Sequence, residues 1–216
     1  MRDKNLNLNK RDRMYTLEQC LEQQKKVDAS IKHNGTYLPW LAGIGEVIEM
    51  CEHLSLISTW KKQPEPDMKQ AFMELVDVFA FALSDHFDVW VSKPLFVNDK
   101  ELKFVDNTLD SLVSRLVIEL AKNDTSMVFH IIFAVARTVF KRPVTDVYYY
   151  YMGKQTLTRF RQANGYKDGS YIKMWGGRED NEYLTDALES GVEIDELFNH
   201  LNSVYNRVVI AKSEIE

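Results

Sequence analysis

Two short stretches decide the fold of this chain: Gly45-Glu46-Val47-Ile48-Glu49-Met50 and Met73-Glu74-Leu75-Val76-Asp77-Val78. Each stretch sets two acidic residues three positions apart among apolar neighbours. On an α-helix this spacing puts both carboxylates on one face. Four carboxylates on two inward helix faces are costly to bury unless cations neutralise them. The pattern therefore predicts two antiparallel helices that bring their acidic residues to one place.

The ordinary alternative is that each acidic pair lies on a solvated helix surface. The apolar neighbours and the second pair of equal spacing favour a metal site instead. Acidic oxygen ligands suit a hard ion such as Mg²⁺, and we expect two or more ions per site, with Mn²⁺ as a substitute. Glu52 extends the first series, so Glu49 and Glu52 form an alternative first pair. In the Glu46/Glu49 register, Glu52 is an outer ligand or a surface residue.

Composition limits the class of protein. The chain has 216 residues, of which 45% are hydrophobic, and a formal net charge of −5. An acidic chain is a poor general binder of nucleic acid or of anionic membranes. Its two cysteines, Cys20 and Cys51, suggest no disulfide framework, which predicts a cytoplasmic protein. Residues 1–13 lack the apolar core of a signal peptide, and no apolar run is long enough to span a membrane.

The hydrophobic periodicity is helical nearly throughout and predicts an all-α helical bundle. We expect one domain over residues 1–216, with residues 1–13 and 212–216 flexible. Asp67 and the turn at 123–126 are predicted helix caps. The predicted helical segments are 15–33, 40–60, 67–91, 108–122, 125–141, 143–162 and 193–211, with a loop at 93–107 and a non-helical stretch at 164–181.

The second half of the chain carries sequence blocks that resemble a known family. Residues 153–162, GKQTLTRFRQ, resemble the motif GKNxLNxFRQ, and residues 164–175, NGYKDGSYIKMW, followed by Glu-Asp-Asn at 179–181, resemble NGYKDGSYxKxW…EDN. Thr59-Trp60-Lys61 is similar to the family's TWK segment. With the acidic pairs, these blocks identify the chain as similar to the all-α nucleoside triphosphate pyrophosphatases, and among them to the dimeric dUTPases.

The resemblance implies an activity and roles for the acidic residues. Members of the family convert dUTP and water to dUMP and pyrophosphate with Mg²⁺. It implies that Glu46, Glu49, Glu74 and Asp77 bind metal and orient the attacking water. One of these carboxylates can also act as the general base, and we assign that role to Glu49. A homodimer is also expected, with the Tyr148–Tyr151 run and the helices near 108–141 offering apolar surface.

The basic residues of the second half match the family's phosphate-binding positions. These are Lys154, Arg161, Lys167 and Lys173, with Tyr166 and Tyr171 as hydrogen-bond donors. Asp180 and Asn181 match residues near the nucleotide, and a helix N-cap is a compatible role for them. We expect 164–175 to be a mobile lid, because its cations have no obvious acidic partner in the sequence.

The base pocket is the part of the resemblance with the most changes. Gln24 and Asp28 occupy the positions where the family has Gln and Asn, and Trp60 and Phe81 offer stacking faces. Thr158 stands at a substrate-binding position that the family fills with Asn. Further departures are Gln155 for Asn, Gln63 for Trp and Ala80 for His.

These departures leave two alternative functions open. One is a related pyrophosphatase that acts on dCTP, dUDP or another pyrimidine nucleotide. The other is a non-catalytic helical regulatory protein that keeps this fold.

Overall fold

The computed structural model describes residues 15–31, 35–57, 60, 65–86 and 108–210. These ranges contain eight α-helices: α1 Leu17–Ser30, α2 Pro39–His53, α3 Met68–His86, α4 Leu109–Lys122, α5 Thr125–Thr138, α6 Val144–Ala163, α7 Asp180–Glu189 and α8 Ile194–Tyr205. A two-residue hairpin, β1 Met174–Trp175 and β2 Arg178–Glu179, precedes α7, and a π-helical turn, Asn206–Ile210, follows α8. The prediction of an all-α fold is confirmed. The loop at 93–107 and the termini at 1–13 and 212–216 lie outside the described residues.

Local capping explains where several helices begin. Asp67 Oδ1 accepts hydrogen bonds from the backbone N–H groups of Lys69 and Gln70, at 3.1 and 3.0 Å, before α3. Asp124 accepts one from the backbone N–H of Met127 at 3.2 Å, before α5. These bonds satisfy N–H groups that a helix start leaves without partners. Both predicted caps are confirmed.

Residues Thr16–Tyr151 form one compact unit, and Met152–Glu216 with Met1–Tyr15 form a second, so that α6 contributes to both. Whether they act as one domain stays a prediction.

In the first unit, α2 and α3 pack as a hairpin. Phe81, late in α3, faces Gly43, early in α2, while the carbonyl of His53 accepts a hydrogen bond from the backbone N–H of Asp67. The helices are therefore antiparallel, as predicted.

Aromatic rings fill the core of the first unit. The Phe79 ring lies 5.5 to 6.0 Å from the rings of Phe129, Phe133, Tyr148 and Tyr151. Tyr148, Tyr150 and Tyr151 are all buried. These three residues therefore belong to the core of the unit, and a subunit contact through the rest of the tyrosine run stays a prediction.

The second unit has its own aromatic core. Phe160 packs edge-on against Trp175 and Tyr205, and Tyr171 stacks on Tyr205 with ring centroids 5.7 Å apart. Trp175 is fully buried. Gly153 lets α6 approach α7 closely, because a Cβ there would lie 2.8 Å from a methyl carbon of Leu188.

The hairpin β1–β2 and helix α7 are additions to the predicted elements. The N-cap of α7 is Glu179, whose backbone N–H donates to Glu182 at 3.1 Å. The expected cap at Asp180 and Asn181 is therefore wrong by one residue. Both are the first residues of the helix itself, and both are buried.

Candidate active site

Three carboxylates converge in the hairpin of α2 and α3. Glu46 of α2 and Glu74 and Asp77 of α3 each offer an oxygen, and these oxygens all lie within 4.8 Å of one another. Glu74 is 5% exposed, and Glu46 and Asp77 are half-buried. Three acidic side chains at this spacing make a site for a cation.

Apolar packing fixes the position of these carboxylates. Val47 and Met50 turn one face of α2 into the core, and Leu75 and Val76 do the same for α3. Glu74 lies inside a stretch of α3 whose neighbours are fully buried. The helix backbone therefore has little freedom to withdraw this carboxylate from the site.

Glu49 and Glu52 lie on a different part of α2. Both are exposed, and neither belongs to the group of three among the described residues. Ile48, beside Glu49 on α2, is also 49% exposed. At about 100° per residue, Glu49 stands about 60° round from Glu46.

His53 is a neighbour of the site that the sequence reasoning missed. Its Nε2 lies 3.6 Å from Glu74 Oε1. Seven residues after Glu46, His53 falls about 20° from it around the helix, nearer in angle than Glu49. The i+7 spacing of Glu46 and His53 could therefore have identified His53 as a neighbour of the site from the sequence alone.

The donor set fits a hard divalent cation. Each of the three side chains offers carboxylate oxygen, which Mg²⁺ and Mn²⁺ prefer over softer ligands. Clustered carboxylates also repel one another, and a bound cation removes that repulsion.

A second polar group lies between α1, α3 and α6. The side chains of Gln24, Asp28, Ser84 and Tyr151, here called the helix network, are joined by hydrogen bonds. Gln24 Nε2 donates to Asp28 Oδ1 at 2.8 Å and to Ser84 Oγ at 3.0 Å. Tyr151 donates to Gln24 Oε1 at 2.9 Å. The structure thus brings together the two residues predicted for the base pocket and adds two that were not predicted.

Trp60 and Phe81, the two residues predicted to stack on the base, differ in exposure. Trp60 is 80% exposed, and its neighbours 58–59 and 61–64 lie outside the described residues. Phe81 is half-buried on α3, four residues after Asp77. Its Cβ faces Gly43 of α2, so the side chain starts at the contact between the two helices.

In the second unit, ion pairs and hydrogen bonds hold the basic residues. Arg161 Nε and Nη2 donate to the two oxygens of Asp180 at 2.8 and 2.7 Å, and Tyr171 donates to the same carboxylate at 2.7 Å. Lys154 Nζ donates to Asn181 Oδ1 at 3.1 Å. Burial raises the pKa of Tyr171 first, and its hydrogen bond to Asp180 raises it further, so the phenol stays protonated.

Lys173 corrects the expectation that the cations of 164–175 lack acidic partners. Its Nζ lies 2.9 Å from Glu179 Oε2. Tyr166 and Lys167 are exposed, while Tyr171 and Trp175 anchor the end of the stretch. The expected lid is therefore fixed at its C-terminal end.

Two substituted motif positions differ in burial. Thr158 is half-buried, whereas Gln155 is 7% exposed and its Oε1 has no hydrogen-bond partner among the described residues.

A family model described as dUTPase matches residues 16–166, well over half of the chain. The chain belongs to the all-α dimeric dUTPase family. Its members hydrolyse dUTP, and this chain is therefore a dUTP diphosphatase. No match was found among curated proteins.

The match covers the acidic hairpin of this dUTPase, which α2 and α3 form, and its helix network. It ends at Tyr166. Lys167, Lys173, Asp180 and Asn181 lie beyond it, so their roles rest on the motif resemblance and on the contacts above. Within the described ranges, no helix combines the length and hydrophobicity needed to cross a membrane.

Proposed function

We propose that this dUTPase hydrolyses dUTP to dUMP and pyrophosphate in a Mg²⁺-dependent reaction. The observation that carries the proposal is the convergence of Glu46, Glu74 and Asp77 within 4.8 Å in a chain of this family. These three residues would hold the metal. When bound, two or more Mg²⁺ ions, or Mn²⁺ in their place, supply positive charge for the phosphates and lower the pKa of coordinated water.

Glu49 is the proposed general base. It is exposed on α2, one turn beyond Glu46, and is therefore open to water. In the proposed step a water oxygen bonds to the α-phosphorus, and Glu49 takes the water proton. The bond from the α-phosphorus to its bridging oxygen breaks, and pyrophosphate leaves with that oxygen. Glu52 is proposed only as an outer metal ligand.

The basic residues of the second unit are the proposed phosphate ligands. Lys154, Arg161, Lys167 and Lys173 supply the charge, and Tyr166 and Tyr171 supply O–H donors. Asp180 holds the Arg161 guanidinium in one orientation, which supports a role in binding a departing anion. Asn181 fixes Lys154 in the same way.

The proposed base and sugar contacts come from Gln24, Asp28, Trp60, Phe81 and Thr158. The hydrogen bond between Gln24 and Asp28 supports assigning these two residues to one pocket. Phe81 and the exposed Trp60 indole offer aromatic faces for the base.

A pyrophosphate-release assay tests the function. The purified chain is given dUTP, dUDP, dCTP and dTTP side by side, with Mg²⁺, with Mn²⁺ and with EDTA. We expect dUMP and pyrophosphate from dUTP, with turnover abolished by EDTA. Faster turnover of dCTP or dUDP would replace the substrate assignment, and binding of dUTP without turnover would favour the regulatory alternative.

We also propose a cytoplasmic homodimer. Ile48 on α2 and Ile118 on α4 are 49% and 47% exposed, and a largely apolar cavity of about 520 Å³ lies between the two helices. Its lining includes Val113 and Val117. Both described cysteines are buried free thiols, which suits a reducing compartment. Light scattering should give twice the chain mass, and Ile48→Glu should shift it toward the monomer, whereas Asn199→Glu at an exposed position of α8 should not.

A further inference from the structure

His53 is the last residue of α2 and lies beside one carboxylate of the candidate metal site. Its side chain is 37% exposed, whereas the side chain of its neighbour Glu74 is 7% exposed. The His53 carbonyl accepts a hydrogen bond from the backbone N–H of Asp67 at 2.9 Å, and Asp67 caps α3, the helix that carries Glu74. This backbone hydrogen bond ties the end of α2 to the start of α3 and holds the imidazole near Glu74.

The distance between the two side chains is informative. His53 Nε2 lies 3.6 Å from Glu74 Oε1. This is longer than a hydrogen bond between nitrogen and oxygen, for which about 3.2 Å is the usual limit. Two ligand atoms that each lie about 2.1 Å from one ion are about 3.0 Å apart at a right angle and about 4.2 Å apart across the ion. The observed separation falls between these values, so the two atoms are spaced as ligands of one cation.

His53 meets the group of three carboxylates at one of its members. The oxygens of Glu46, Glu74 and Asp77 lie within 4.8 Å of one another, and among the described residues His53 is not a member of that group. A carboxylate has two oxygens and about four lone-pair sites, so it can serve two cations at once. Glu74 therefore lies between two cation positions, one among the three carboxylates and one at His53.

We propose that His53 Nε2 is a ligand for a second cation, which it shares with Glu74, and that this position takes a divalent transition-metal ion such as Mn²⁺ in preference to Mg²⁺. This inference rests on the proposed metal site of the acidic hairpin. Mg²⁺ is a hard ion that takes oxygen ligands, whereas imidazole nitrogen binds transition-metal ions. Two protein ligands leave the other coordination positions to water or to phosphate oxygens.

Pulsed EPR of the Mn²⁺-loaded chain, without a histidine tag and without nucleotide, tests for the nitrogen ligand. A nitrogen nucleus bound directly to Mn²⁺ modulates the spin echo, and a carboxylate oxygen does not. We expect this modulation in the wild type and its loss in His53→Gln. His130→Gln is the matched control and should keep the modulation, because His130 lies on α5 with its Nδ1 2.8 Å from the carbonyl oxygen of Ser126.

Calorimetric titrations with Mn²⁺ and with Mg²⁺ test the preference between the two ions. His53→Ala should weaken Mn²⁺ binding about tenfold or more, because a nitrogen ligand is lost, and should change the Mg²⁺ affinity less than about threefold. His130→Ala should change neither affinity. Circular dichroism of each variant checks that the helices are intact.

The outcomes separate this inference from the proposed function. Mn²⁺ binding without directly bound nitrogen, or with a modulation that persists in His53→Gln, would overturn the role of His53 and would leave the carboxylate site and dUTP hydrolysis intact. A plain ion pair between His53 and Glu74 gives this result. Absence of both Mn²⁺ and Mg²⁺ binding would overturn the inference together with the proposed metal site. If neither His53 variant folds, the wild-type spectrum decides, because the absence of directly bound nitrogen refutes the ligand and its presence supports it.

Discussion

The acidic hairpin, formed by α2 and α3, and the C-terminal block, residues 153–181, handle charge in opposite ways. In the acidic hairpin, three like charges from Glu46, Glu74 and Asp77 meet within 4.8 Å. In the C-terminal block, opposite charges pair, as in the bidentate contact between Arg161 and Asp180. Converging like charges cost folding energy and create affinity for an external cation. Paired charges hold side chains in place, so mutations in the acidic hairpin should act mainly on turnover, and mutations in the C-terminal block on stability as well.

The largest effect is expected in the acidic hairpin. Asp77→Asn should lower kcat/KM for dUTP by about a hundredfold to a thousandfold, since loss of a metal ligand costs ~3–4 kcal/mol of transition-state stabilisation. Glu49→Gln should lose turnover as well, because it removes the proposed general base.

Two results would contradict the roles proposed for the carboxylates of the acidic hairpin. Near wild-type turnover of Asp77→Asn with saturating Mg²⁺ would show that the reaction does not need these carboxylates. A severe loss in Glu52→Gln with a mild one in Glu46→Gln would move the site one turn along α2.

The next effect is on the stability of the C-terminal block. Arg161→Ala leaves the Asp180 carboxylate, which is fully buried, without its charged partner. We expect the free energy of unfolding to fall by about 3 kcal/mol, measured by urea denaturation. Arg159→Ala, an exposed arginine two residues earlier on α6, is the control and should change it by less than about 0.5 kcal/mol. Equal stability of the two variants would show that the ion pair does not hold the block together.

A substitution of Lys173 tests whether the C-terminal block binds phosphate in addition to forming internal ion pairs. Its pair with Glu179 is about half-exposed, so Lys173→Ala should cost less than about 1 kcal/mol of stability. As a phosphate ligand, however, its loss should lower kcat/KM for dUTP about tenfold. Lys122→Ala breaks an ion pair with Glu119 in which the lysine is likewise exposed, and it should leave kcat/KM unchanged. If Lys173→Ala has the same kcat/KM for dUTP as Lys122→Ala, then Lys173 forms a surface ion pair and does not bind phosphate.

The smallest effect concerns Asp85 at the end of α3. Burial raises the pKa of Asp85 to about 6, partly offset by a hydrogen bond from the backbone N–H of Trp40. The folded state therefore binds this proton more tightly than the unfolded chain, and stability is lost as the pH rises from about 4 to about 6. Asp85→Asn should raise the free energy of unfolding at pH 7.5 by about 1 kcal/mol or less, since solvent screens the half-buried group.

Urea titrations at pH 4 and pH 7.5 check the sign. The gain from Asp85→Asn should largely vanish at pH 4, where the carboxyl is protonated in the folded state and about half protonated in the unfolded chain. A gain that persists at pH 4 would mean that the cause is packing and not charge.

Local sequence signals predicted much of the fold because their causes are local. Asp67 and Asp124 cap helices through bonds to backbone groups two or three residues away. Helix α7 is missing from the predicted helical segments, and its expected cap was placed too late, because the cap is Glu179, an unusual capping residue, and the helix follows a hairpin of only two paired residues. The carboxylate of Glu182, three residues on, completes that cap.

By itself, the sequence determined the all-α class, the two acidic helices and, through its motifs, the resemblance to dimeric dUTPases. Tertiary structure decided which acidic residues meet: packing of Val47 and Met50 into the core turns Glu46 toward α3 and leaves Glu49 in solvent. It also decided the partners of Gln24, since Ser84 and Tyr151 lie 60 and 127 residues away along the chain. Helical periodicity reports one face of one helix, whereas the meeting of side chains from different helices depends on how those faces pack.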